Sequence, residues 1–455
     1  MTTTRRGLRV ARSPLPAAVC LLLSAVCLLP SVGRAAALAE REVLPSGMTL
    51  LVSEKRVVPI VTGRMLIPAG SLLDPPDQPG LANLTAELLM QGTTTRTATE
   101  ISEAIEFVGG SLGVEASHEV VQVSFSVLRK DLDLVLELVA DVLLRPTFPP
   151  EEVARKAQEV VAGIRRKLED PGAVADEAFA RLVFGDRTYG RPVEGTEASV
   201  PTLTREDLMR FHERHYRPDR AILAVVGDVG LGELRQRLTA RLSPWRPGAP
   251  EFPIPRPPQP LDKPRLRLIP REISQANVVL GHLGVRRDHP DYYAIQVMNY
   301  ILGGGGLTSR LTASIREAKG WAYDVSSAFI PSKYAGSFSV TLQTKNETAQ
   351  EAVEAALAEV RRIRDQPVGE TELADAKAYL TGSFPLRLDT NGKIARLLAS
   401  IEYHSLGLDY VERYTAHING VTIADVQRVA RTYLHPDQYA LAVVADLAKA
   451  KIRER

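Results

Sequence analysis

Side chains able to do covalent or metal chemistry are few in this 455-residue chain. Its two cysteines, Cys20 and Cys27, both lie in an apolar N-terminal run, so beyond residue 39 there is no thiol nucleophile, disulfide or thiolate ligand. His212-Glu213-Arg214-His215 looks like a metal pair, but the histidines are three apart with an arginine between them. Its counterpart later in the chain, Ala430-Arg431-Thr432-Tyr433, has no histidine, so these side chains are expected to decorate a helix end. Gly303–Gly306 invites a phosphate-loop reading, yet Leu307-Thr308-Ser309 follows and no Gly-Lys-Ser/Thr does. The plain structural reading of that run is a loose turn before a helix.

These residues hang on a duplicated scaffold. From Leu203 to Asp228, 10 of 26 positions recur without a gap at an offset of 218, among them Thr204/Thr422, Asp207/Asp425, Pro218/Pro436 and Asp228/Asp446. A proline-dense stretch, 244–264, reads as extended polyproline II linker between a first lobe, 40–243, and a second, 265–455. Val121, Val123, Phe125 and Val127 alternate with polar residues, the period of a strand with one buried face. Phe338, Val340 and Leu342 do the same in the second lobe, and a helical stretch follows each, Asp131 to Leu144 and Ala349 to Arg364. Ala221–Val226 and Ala440–Val444 are expected strands. Thr97 and Glu100 form a capping box ahead of Ile101, Ile105 and Val108, with Gly109 as the stop. The expected fold is α+β: two homologous lobes, each an antiparallel sheet packed with helices, closing as a clam shell.

Ser46–Val52, Gly80–Thr93, the Tyr216-Arg217-Pro218-Asp219 to Asp228 stretch, and Ser309-Arg310-Leu311 with Arg316, Gly320 and Tyr323 occur in order along the mature chain. Together they resemble the pitrilysin/insulinase family of zinc peptidases. Active members carry His-x-x-Glu-His on a helix, two histidines holding zinc while the glutamate activates water, with a distant glutamate as third ligand. Here the matching positions are Asn83, Ala86 and Glu87, and the family spacing places the third ligand at Gly163. An amide and one carboxylate make a poor zinc set, and alanine cannot take a proton.

The resemblance implies a chain with no cofactor of its own. It would be the substrate-binding half of a heterodimer whose homologous catalytic subunit carries His-x-x-Glu-His and the zinc. In the family's substrate-binding half an arginine and a tyrosine seven apart reach the partner's site, a spacing that Arg316 and Tyr323 share. A guanidinium offers fixed donors to a carbonyl and a phenol can stabilise an oxyanion; the alternative is that Arg316 pairs with Glu317 and Tyr323 packs beside Trp321. By the same resemblance Gly303, Gly304, Gly305 and Gly306 form a substrate-contacting loop, and the strand around Ser111–Ala116 offers an edge to extended peptides. A peptide-binding or scaffold protein of this fold, without a peptidase role, is the other functional reading.

A net charge of +2 and 5% aromatic residues give no reason to expect nucleic acid. Arg5, Arg6, Arg9 and Arg12, the apolar Ala17–Leu29 and the small residues Ala35 to Ala39 read as a signal peptide, 1–39, with Sec or twin-arginine export both compatible. No later stretch is long enough to span a membrane, so an exported product is expected, periplasmic in a Gram-negative source.

Overall fold

The structure, a computed structural model, describes Thr2 and residues 38–453 apart from 187, 249–254 and 256; most of the expected signal peptide, with both cysteines, lies outside them. Strands β1 (Glu40–Val43), β2 (Thr49–Glu54), β3 (Ile60–Ile67), β4 (Ser111–Ala116), β5 (Val121–Leu128) and β6 (Ile222–Gly227) form one sheet in the order β1-β2-β6-β3-β5-β4. Between them run helices α1 (Leu81–Leu88), α2 (Ala98–Phe107), α3 (Leu132–Leu144), α4 (Pro150–Glu169), α5 (Pro171–Phe184) and α6 (Arg205–His215), and α7 (Leu231–Leu242) follows.

A second sheet, β7-β11-β8-β10-β9, is built from β7 (Arg265–Pro270), β8 (Gln275–Leu283), β9 (Ala322–Ile330), β10 (Ser337–Lys345) and β11 (Ala440–Ala445). Its helices are α8 (Tyr292–Asn299), α9 (Ala349–Asp365), α10 (Glu370–Gly382), α11 (Asn391–Tyr403), α12 (Tyr410–Gly420) and α13 (Ile423–Tyr433). No helix among the described residues is long and apolar enough to cross a membrane.

Local chemistry explains many of these boundaries. Val121, Val123, Phe125 and Val127 point into the first core while their neighbours are partly exposed. Thr97 and Glu100 close a reciprocal capping box at the start of α2, and Gly109 ends it in the left-handed region at φ 64°. The duplicated signature is again a capping box in both copies, Thr204/Asp207 on α6 and Thr422/Asp425 on α13.

One expectation is corrected. The sheets are not purely antiparallel: β6 runs parallel to β2, and β11 parallel to β7. Both strands are reached through long helical connections, which permit a parallel return, whereas the hairpins β4–β5 and β9–β10 must be antiparallel. Both faces of each sheet are covered at the centre, since β6 and β11 are buried at every position.

The second cover comes from the opposite half of the chain. Helix α5, from the first half, lays Ala175, Phe179 and Val183 on Val279, Ala440, Ala442 and Val444 of the second sheet. Helix α11, from the second half, lays Ile394, Ala395, Leu398 and Ala399 on Leu51, Leu66, Ala224 and Val226 of the first. Fully burying an Ile or Leu side chain contributes roughly 1.5–3 kcal/mol, so Ile394 and Leu398 alone tie the lobes by several times thermal energy. Arg41 of β1 adds a two-pronged bond to Glu402 of α11, at 3.0 and 2.8 Å. The described part of the 244–264 linker is neither helix nor strand; Trp245 anchors one end through a 2.9 Å bond from its indole N–H to the Tyr216 carbonyl.

Candidate functional site

Helix α1 starts at Gly80, whose φ of 95° suits glycine, and is held there by Asp74, which accepts from the Gly80 and Ala82 N–H groups at 2.8 Å each. Burial pushes the Asp74 carboxyl up to about 7, against the pull of those two bonds. One helical turn apart, Asn83 and Glu87 face a cavity of about 580 Å³ whose far wall is Gly163 on α4 and whose side is Glu115 on β4. Ala86 is buried and lines a neighbouring cavity of about 560 Å³ together with Glu87. All four positions matched to the metal site therefore converge on one region, although they share no single cavity.

An ammonium group lines both cavities. Lys156 of α4 places its Nζ 2.9 Å from Glu159 and 3.4 Å from Glu87. Its side chain is only 18% exposed. Burial works against the charge, but Glu159 and Glu87 together hold Lys156 above the ordinary lysine value. Zinc does not fit this donor set: an amide, a carboxylate already paired to a lysine, an alanine and a glycine supply neither imidazole nor a base. Among the described residues no three His, Cys, Asp or Glu are grouped to hold a metal ion. His118, the histidine nearest in sequence, turns its Nε2 to the Arg191 carbonyl at 3.0 Å. Lys156 escaped notice in the sequence because a lysine on a helix dense in charge reads as part of a solvated face.

The His212/His215 pair is structural. It occupies the end of α6 as expected, but His212 is not mere decoration: its Nε2 lies 2.9 Å from the Leu143 carbonyl, and its ring is wedged against Phe148 and Tyr216. Burial pushes both histidines down to about 4.

The second-lobe signature forms a separate constellation built on two local irregularities. Residues Thr312–Glu317 wind as a π-helix, in which the Ala318 N–H reaches back five residues to the Ala313 carbonyl at 3.0 Å. This wide turn carries Arg316. Tyr323 then falls at a bulge in β9, where Asp324 pairs with Gln343 and Ala322 with Thr344, leaving Tyr323 as the extra residue. Since β9 is the edge of its sheet, Tyr323 stands 77% exposed. The Arg316 guanidinium lies 5.7 Å from the Tyr323 ring centre, within cation–π range. Arg316 forms no ion pair among the described residues, with Glu317 or any other acid, and the Trp321 ring is covered by Lys319 at 4.3 Å.

The Ser309-Arg310-Leu311 segment is the footing for this constellation. Ser309 and Leu311 are fully buried, the Ser309 hydroxyl donates to the Gly306 carbonyl at 2.8 Å, and Arg310 grips Glu372 of α10 through two 2.7 Å bonds. The four glycines lead into this footing, Gly303 buried within it and Gly304 and Gly306 exposed. Gly303 and Gly304 belong to a second π-helical turn, Tyr300–Gly304, that continues α8. A Cβ on Gly303 would lie 2.5 Å from the Ser327 hydroxyl and 2.6 Å from Leu311, and one on Gly305 would lie 2.8 Å from the Tyr300 carbonyl. Gly306, at φ 59°, ends the turn in open space. Close packing thus accounts for glycine at 303 and 305 and chain reversal for glycine at 306, while Gly304 and Gly306 remain exposed.

Comparison with known proteins agrees with this architecture. The profile for insulinase (peptidase family M16) matches residues 50–197, and that for the peptidase M16 inactive domain matches 202–380. An uncharacterized zinc protease of Mycobacterium leprae is 32% identical over 420 residues, spanning 91% of this chain and 93% of its own. One from Streptomyces coelicolor is 29% identical over 402 residues, 87% of each chain. Among solved structures, a peptidase M16 inactive domain from Pseudomonas fluorescens matches with a TM-score of 0.84 at 27% identity, covering 90% of this chain and 98% of that one. A Helicobacter pylori protease shares the fold at 19% identity, with a TM-score of 0.81 over 89% and 99% of the two chains.

Proposed function

This chain belongs to the insulinase family, M16, of zinc peptidases, and from that premise we propose that it is a non-catalytic, substrate-binding subunit of a heterodimer. The partner is a homologue with an intact His-x-x-Glu-His helix, which supplies the zinc and the water-activating glutamate. This chain supplies Arg316 and Tyr323. The observation that carries the reading is the contrast between the two constellations: the metal positions supply no zinc donor set and their one carboxylate, Glu87, is paired to Lys156, while Tyr323 is raised on a bulge at an exposed sheet edge beside Arg316. A π-turn and a bulge both cost regularity, and such irregularities recur where a side chain has to be aimed.

In this mechanism an extended peptide lies across the partner's zinc, and its scissile carbonyl develops negative charge as water attacks. The Tyr323 hydroxyl donates to that oxygen and the Arg316 guanidinium adds a fixed positive field. The edge strand β4, beside the Asn83/Glu87 cavity, offers backbone groups to the peptide's non-reacting portion. Export belongs to the same proposal, through the N-terminal segment read as a signal peptide.

The test is turnover per mole of assembled, zinc-loaded complex with a His-x-x-Glu-His homologue. Tyr323→Phe keeps the ring and deletes one hydroxyl. Losing one oxyanion donor lowers turnover by roughly 100- to 1000-fold, with assembly by gel filtration and zinc content unchanged. Unchanged turnover in both Tyr323→Phe and Arg316→Ala defeats the proposal and favours the scaffold role.

A further inference from the structure

Where the exchanged helix α11 meets the first sheet there is a cavity of about 330 Å³. Arg64 of β3 and Arg396 of α11 both line it, with Glu119 from the β4–β5 turn and His404 at the end of α11. Glu119 is already engaged: it accepts from the Tyr189 hydroxyl and from the Lys333 backbone N–H at 2.8 Å. The Lys333 ammonium, bonded to the Tyr403 carbonyl at 3.0 Å, adds another positive charge close by. Arg64 and Arg396 form no hydrogen bond or ion pair among the described residues.

The electrostatics point the same way. Burial and the nearby Arg396 pull Arg64 below the ordinary arginine value, with Glu115 opposing them. Burial pushes His404 down to about 4, so at neutral pH its ring is uncharged and can donate a hydrogen bond without adding to the repulsion. Two guanidiniums thus face one cavity, Arg64 half-buried and Arg396 exposed, neither in a direct ion pair. The Glu119 carboxylate in the same lining is bonded to neutral donors, and Glu115 only partly offsets the repulsion on Arg64, so an anion entering between them is favoured.

We propose that this cavity is a binding subsite for a carboxylate, held between Arg64 and Arg396. The planar fork of an arginine matches a carboxylate with two parallel bonds. The volume lies at the low end of the roughly 300–1,000 Å³ typical of small-ligand pockets, suited to one carboxylate on a short stem. That carboxylate comes either from a free small acid or from the C-terminus of a bound peptide. The subsite needs no partner subunit and no zinc, so its failure and that of the heterodimer proposal are separable.

The experiment is calorimetric titration of the full chain with three probes: succinate, a neutral octapeptide with a free C-terminal carboxylate, and the same peptide amidated. Succinate binding that weakens roughly tenfold or more in Arg64→Gln and in Arg396→Gln supports the subsite with a free acid as its source. A preference of similar size for the free-acid peptide over its amide, lost in both variants, supports it with the peptide terminus as its source. Gln keeps most of the stem and removes the charge, and relief of repulsion leaves the melting temperature of Arg64→Gln unchanged or higher. The proposal is overturned if succinate does not bind and acid and amide peptides bind alike, or if both variants retain wild-type affinity while folded.

Discussion

If the Lys156 ammonium opposes a cation at the metal positions, a rebuilt zinc helix binds zinc more weakly while that lysine remains. The perturbation is Asn83→His/Ala86→Glu/Glu87→His, made with Lys156 retained and again with Lys156→Ala. The Glu87 carboxylate lies 3.4 Å from Lys156 Nζ, so a separation of about 4 Å serves as the working value for a dication held at position 87. Two unit charges at about 4 Å interact by ~1 kcal/mol in bulk water and by ~4 kcal/mol at an effective dielectric near 20. A dication doubles this, giving a repulsion of ~2 to ~8 kcal/mol. The four-carbon stem lets the ammonium retreat toward Glu159, which draws the outcome toward the lower figure. Removing Lys156 is therefore expected to tighten zinc binding by about 30-fold or more, each 1.4 kcal/mol being about a factor of ten. Gly163 still provides no third ligand, so affinity stays below that of a three-ligand site in both variants. Competition against a chromophoric chelator measures the two constants. Equal zinc affinities with and without Lys156 would refute the account of this lysine as a charge opposing the metal.

Gly303→Ala should destabilise the fold by about 1–3 kcal/mol, because its Cβ meets Ser327 and Leu311 at 2.5–2.6 Å; denaturant unfolding measures it. Leu398→Ala, in the exchanged α11, removes a fully buried side chain and should cost about 2–5 kcal/mol, with both sheets losing their signal in one transition. Burial pushes His282 down to about 3, and its two ring nitrogens are engaged with the Leu283 carbonyl and the His435 N–H. The neutral ring favours the fold above its unfolded value near 6.5, and that stability is lost as pH falls from there through about 3. His282→Gln should flatten the decline in denaturant midpoint between pH 7 and 4.

Period and capping made much of the fold legible. Val121–Leu128 and Ser337–Lys345 were marked by strict alternation, α2, α6 and α13 by threonine with an acid three residues on, and the two lobes by their common offset. The helix exchange was not legible. Continuous apolar runs such as Ile222–Gly227 say that both faces are covered but carry no mark of which helix covers the second. The candidate site was readable only as positions. That Asn83, Glu87 and Gly163 meet at one cavity follows from the family spacing; that Lys156 stands among them depends on the rotation of α4 about its axis. The bulge at Tyr323 and the π-turn under Arg316 are single-residue accommodations to packing, which no local pattern announces.

The exchanged helices also bear on how such a chain arose. Strands β6 and β11 stand 218 residues apart (440 − 222), the offset of the sequence repeat, and adding that offset to α5 gives 389–402, almost the span of α11. The two travelling helices are therefore the same helix in two copies, each resting on the other copy's sheet. Reciprocal lending of one identical element is the hallmark of a swapped twofold dimer. The present chain has the form such a dimer takes when its two halves are joined end to end through 244–264. A cut in that segment should yield two fragments that stay interlocked and folded, while either half made alone would lack the helix that covers its sheet.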